Sequence, residues 1–131
     1  MKKLLLIFTL LFSTLMFSTP SYSEWTEVSS TLNGAHTYYV DFERIRKHGG
    51  YVFWWGISDY LKPTKSGDWS SKVYRQGDCK LFRYKILSDS YYYKPMGGGE
   101  PSISSNVPDE HWKYPFPGSV AETILKRVCS Q

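Results

Sequence analysis

Short strand-like runs followed by one helical stripe predict an α+β fold, a β-sheet covered by a single C-terminal α-helix. Three observations carry this expectation. Between Glu24 and Ser90, β-branched and aromatic residues gather in four or five short runs separated by Gly, Asn, Pro and Asp. Near the end, Val120, Ala121, Ile124, Leu125 and Val128 recur at helical spacing. Two cysteines, Cys79 and Cys129, stand one in each part.

Taken in order, Trp25 to Ser29 reads as an edge strand, and Thr37 to Asp41 follows it after an Asn33-Gly34 turn signal, so the two fit a hairpin. Phe42 to Lys47 is too short for an independent helix and predicts a single helical or 3₁₀ turn closed by Gly49-Gly50. Tyr51 to Leu61 is almost continuously apolar and aromatic, as expected of a central strand with both faces at least partly covered. Lys62-Pro63 stops it, and a polar turn from Thr64 to Asp68 leads into an extended run from Trp69 to Gln76. Gly77-Asp78 is expected to break the ladder, with Cys79 to Ser90 forming the next long strand. Gly97-Gly98-Gly99 and four later prolines predict a long irregular surface loop. Ser119 as N-cap, with Glu122 three residues on, starts a helix over residues 119 to 129.

The chain has 131 residues, enough for one domain. Lys2 and Lys3 precede an apolar run from Leu4 to Phe17, and Ser21 and Ser23 are the small residues a signal peptidase needs. Residues 1–23 are therefore read as a secretory signal cut between Ser23 and Glu24, leaving a domain over 24–131. The apolar run is too short to span a bilayer comfortably, so no transmembrane helix is expected. No cysteine directly follows the leader, so no lipid-anchor cysteine is expected either, and the product is periplasmic or secreted. Loss of the two leader lysines leaves 14 basic against 12 acidic side chains, a formal +2 with scattered signs. That is far from the dense basic stripe that binding to nucleic acid requires.

A domain of this size buries only about 65 percent of its unfolded surface, so a covalent staple matters. In an exported chain, Cys79 and Cys129 pair most simply with each other; the rival reading is two free thiols. Against the rival, neither cysteine sits in a Cys-x-x-Cys pair or beside a histidine. Because Leu125 and Cys129 are one helical turn apart, Cys129 lies beside the apolar stripe.

Machinery for catalysis is hard to find. His36, His48 and His111 lack metal-ligand spacing, there is no Gly-x-Ser-x-Gly elbow, and the acidic pairs Asp41/Glu43 and Asp109/Glu110 sit at turns where solvated carboxylates are ordinary. No enzyme activity, metal or cofactor is expected. The aromatic runs are more informative. Tyr91, Tyr92 and Tyr93, with Trp54 and Trp55, must alternate across the sheet, half packing in the core and half available as a face for a partner.

Several spans together resemble the surface-adhesin protein E family of Gram-negative bacteria: Tyr38 to Asp41 with Ile45 to Lys47, Tyr60 to Pro63, Gly77 to Lys80, Pro95 to Gly99, and Pro117 to Ser119 continuing to Val128-Cys129. The resemblance covers nearly all of Glu24 to Gln131. It implies an antiparallel sheet of about six strands whose concave face is covered by the C-terminal helix, held by a Cys79 to Cys129 disulfide. It also implies a binding class whose founding member is an outer-membrane lipoprotein that binds host matrix and serum proteins. The lipid-acceptor cysteine of that member has no counterpart here. The functional expectation is an exported, non-enzymatic binding module contacting a protein or cell-envelope partner, with homodimerisation left open. Its surface would comprise Tyr91, Tyr92, Tyr93 and Lys94, with Lys62, Lys65 and Lys85 at the rim. The alternative is a small-ligand or haem carrier with a pocket between helix and sheet and His36 or His111 near its mouth.

Overall fold

A computed structural model describes residues 24–131; the signal-peptide expectation for residues 1–23, including Ser23, lies outside them. Seven strands form one antiparallel sheet: β1 (Thr26–Ser30), β2 (His36–Val40), β3 (Arg46–His48), β4 (Tyr51–Tyr60), β5 (Ser70–Asp78), β6 (Arg83–Tyr92) and β7 (Pro101–Ser105). Their order is β1-β2-β4-β5-β6-β7, and β3 also pairs with β4. Among the described residues one α-helix, α1 (Val120–Cys129), packs on the sheet against β1 and β4.

The expected hairpin forms, with β1 antiparallel to β2. β4 is central because three strands share its edges. β2 pairs with its Gly56–Tyr60 half, β3 with its Tyr51–Phe53 end, and β5 with its other edge. Between β2 and β3 a 3₁₀ turn over Phe42–Arg44 steps the chain along the same edge.

Four expectations about the elements need correction. Gly49-Gly50 does not close a helical turn. Both glycines have positive φ, 60° and 81°, and they join β3 to β4 as a two-residue hairpin, which the primed turns require. Gly77-Asp78 does not break the ladder but belongs to β5, pairing with Tyr84 and Arg83. The strand expected to start at Cys79 starts at Arg83. The Asp78 carboxylate accepts N–H bonds from Lys80 and Leu81, both at 3.1 Å, and this local turn competes with strand pairing. The loop expected to stay irregular contains β7, an outer strand whose first residue is Pro101, where a missing N–H costs little.

Alternation divides β4 between two faces. Val52 and Trp54 point to α1 and join Val40, Ile124, Leu125 and Val128 in the core. Gly77 is a glycine for steric reasons, since a Cβ there would stand 2.7 Å from the Trp54 ring and 3.0 Å from Leu125. Its absence lets helix and indole settle onto β5. On the other face, Phe53 and Trp55 stack against Tyr74 with ring centroids 6.2 and 4.7 Å apart.

The helix begins as its cap residues dictate. Ser119 Oγ accepts the Glu122 N–H at 3.1 Å, while the Glu122 carboxylate accepts the Gly118 N–H at 3.2 Å, one residue outside the usual capping-box partner. At the far end the disulfide joins Cys129 to Cys79, with 5.7 Å between their Cα atoms. Both cysteines are therefore oxidised, and the two-thiol alternative falls.

Candidate functional site

Two places on the helix-side face of the sheet could hold a partner, one roofed by α1 and one open. The open one follows from register. Ser58 pairs with Tyr38 and with Ser71, and Ser71 pairs with Tyr91, so Tyr38 and Tyr91 share a face. His36 and Tyr60 pair on the same face, their rings edge to face at 5.0 Å, and His36 stacks on Tyr38 at 6.3 Å. The Tyr60 hydroxyl donates to Ser71 Oγ at 3.1 Å, and burial pushes its phenol pKa upward.

The expected partner residues do not all belong to this surface. Tyr91 and Tyr93 are 36 and 61% exposed, whereas Tyr92 is only 9% exposed. This corrects the expectation of three tyrosines on one surface, because strand alternation turns Tyr92 to the opposite face, where the Lys72 ammonium stands 5.2 Å from its ring. Lys62, Lys65 and Lys94 are exposed. The Lys62–Gly67 turn approaches Tyr93, whose ring lies 3.8 Å from the position a Gly67 Cβ would take. Lys85 is not at this rim. It reaches over Trp112, 4.8 Å from the ring centroid, together with Arg83 at 4.4 Å.

The segment after Tyr93 is pinned rather than loose. Ser70 Oγ donates to the Lys94 carbonyl at 2.6 Å and accepts the Gly97 N–H at 2.8 Å, and the Asp59 carboxylate accepts the Met96 N–H at 2.8 Å. Leu61 and Ile103 add exposed apolar area, Leu61 at the end of β4 and Ile103 opposite Tyr91 in the ladder.

The roofed place is a cavity of about 190 Å³ between α1 and the sheet, lined by Tyr38, Trp54, Arg75, Tyr84, Val120, Ala121 and Ile124. Neither His36 nor His111 lines it, which corrects the expectation of an imidazole at its mouth. His111 is instead almost fully exposed beside Glu110. The volume is also small for a porphyrin, since sites for drug-sized ligands span roughly 300–1,000 Å³. Arg75 falls inside the extended run from Trp69 to Gln76, where no motif singles it out. Among the described residues, no cluster of His, Cys, Asp or Glu could hold a metal ion, and no helix is long and apolar enough to cross a membrane.

Residues 25–130 match the family model for surface-adhesin protein E. Among solved structures, crystal form II of Haemophilus influenzae protein E aligns with a TM-score of 0.61 at 15% identity, covering 87% of this chain and 94% of that one. Protein E from non-typeable Haemophilus influenzae aligns with a TM-score of 0.58 at 15% identity, covering 86% and 79%. A search of curated proteins finds no match. At this identity the structural likeness speaks for the fold.

Proposed function

The chain belongs to the surface-adhesin protein E family, and from that premise we propose that it is an exported, non-enzymatic binding module for a protein or cell-envelope partner. The open end of the helix-side face is its contact surface. The observation that carries this reading is the exposure of Tyr91, Tyr93, Leu61 and Ile103 at one end of the sheet, with Lys62, Lys65 and Lys94 around them. Aromatic side chains there supply large contact area at low entropic cost, and a lysine rim steers an acidic partner. The pinned backbone from Lys94 to Gly97 holds this surface ordered before contact, which lowers the entropy lost on binding. Export follows from the leader expected over residues 1–23, and the paired cysteines suit an oxidising compartment.

The test is a binding assay of immobilised protein against purified extracellular-matrix proteins and against outer-membrane preparations. The Tyr91→Ser/Tyr93→Ser variant should lose at least tenfold in affinity, and Lys62→Glu/Lys65→Glu should slow association at low salt. Binding that is indifferent to both variants, or absent from every preparation, would sink the proposal.

A further inference from the structure

The cavity beneath α1 carries an unusual charge arrangement. Arg75 lies on its wall, partly buried, and among the described residues its guanidinium has neither a carboxylate at ion-pair distance nor a hydrogen bond. The two carboxylates whose charge reaches it, Asp89 and Asp109, stand outside that distance. Asp109 is engaged elsewhere, accepting the Ile86 N–H at 2.9 Å and pairing with Lys113 at 3.3 Å. Burial pushes the guanidinium pKa below its usual value, against the opposing pull of Tyr84, Tyr38, Asp109 and Asp89.

Two further features accompany it. Trp54, on the same wall and 1% exposed, has an indole N–H with no partner among the described residues. Such a buried donor is costly when left unsatisfied. Gly56 makes room for the cation, because a Cβ at that position would stand 3.2 Å from Arg75 Nη1. The phenol groups of Tyr38 and Tyr84 complete the polar lining, and Val120, Ala121 and Ile124 supply an apolar roof. Arg75 and the Trp54 indole thus offer a cation and an unpaired donor, the Tyr38 and Tyr84 hydroxyls can donate or accept, and apolar surface faces them.

We propose that the cavity binds a small organic carboxylate, its charge on the Arg75 guanidinium and its apolar body between Trp54 and the first turns of α1. Volume sets the size class. A cavity of about 150 Å³ holds a benzene ring, so about 190 Å³ takes a one-ring or short-chain acid. This inference is independent of the partner surface at the open end, and either can fail without the other.

The experiment is a titration of the purified, isotope-labelled protein with sodium benzoate and sodium hexanoate, followed by NMR, with benzyl alcohol as the neutral control. At least one acid should shift the Trp54 indole and Arg75 side-chain signals saturably, and bind at least tenfold more tightly than the alcohol. Arg75→Gln should weaken that acid tenfold or more. Ala121→Leu, which fills the cavity from the helix, should remove binding even if the Arg75 variant loses its native near-ultraviolet dichroism. Equal affinity for acid and alcohol, wild-type affinity in folded Arg75→Gln or in Ala121→Leu, or no saturable shift with either acid would overturn the proposal.

Discussion

One face of the sheet ends in two different ways. Over Val52 and Trp54 it is sealed by Ile124, Leu125 and Val128 and clamped by the disulfide. Toward Tyr60 and Tyr91 it is left to solvent. The strands β4, β5 and β6 run through both ends, so backbone pairing alone does not separate them. What separates them is the reach of a ten-residue helix, which at 1.5 Å per residue covers only about 15 Å. Stability is thus concentrated where the helix lies, and the remainder of the face stays open to solvent.

The contrast is broken most severely at the clamp. Replacing both cysteines by serine, or reducing the bond, should lower stability by about 4 kcal/mol on the chain-entropy estimate for a closed loop of 50 residues. For a domain of this size, that corresponds to a melting-temperature drop of roughly 15 °C or more, read by dichroism with and without reductant. An unchanged transition would show that the helix holds without its tether.

Next in size is the core beneath the helix. Leu125 is 1% exposed, and Leu125→Ala should cost about 2–5 kcal/mol in denaturant unfolding while enlarging the space beside Trp54. A loss under 1 kcal/mol would mean that the helix end is not the stability centre.

A smaller, pH-dependent effect belongs to the turn that carries Cys79. The Asp78 carboxyl is held below its usual pKa by the Leu81 N–H, by the Arg83 guanidinium at 3.0 Å and by the Lys80 N–H. Because the folded pKa is the lower one, this stabilisation is complete above the unfolded value, near pH 4, and is lost as pH falls through the folded value. Melting temperature should therefore decline on acidification below about pH 4, and Asp78→Asn should flatten that decline. An identical acid limb in the variant would remove Asp78 from the account. Smallest of all, Tyr93→Ser should leave stability within about 0.5 kcal/mol, as for other exposed positions without structural partners. A larger loss would mean that the open end also supports the fold.

Much of this organisation was legible in the chain. The apolar stripe and Ser119-Glu122 cap located α1 to within a residue, because both are local signals. The hairpin of β1 with β2 and the central place of β4 could be read from a turn dipeptide and an unbroken apolar run. β3 could have been found as well, since Gly49-Gly50 between two extended segments is a hairpin signal. β7 could not, because nothing in a proline-flanked polar segment announces a partner supplied by Asp89 to Tyr92. The tyrosine run was read only in part. Alternation assigned its members to opposite faces, but which member went inward depended on a bulge between Tyr74 and Arg75 and another between Tyr91 and Tyr92.

By itself, then, the order of residues determined the kinds of element, the helix boundaries and the one covalent partner available to each cysteine. These depend on neighbours within a turn or two, or on there being two cysteines in all. Tertiary structure alone decided which side chains meet across the sheet. It put on one cavity wall under the helix a guanidinium and an indole N–H that have no partner among the described residues, and it left Tyr91 and Tyr93 in water while burying Tyr92. The physical reason is that a one-residue change of register reverses every side chain of a strand, and register is set by contacts tens of residues away.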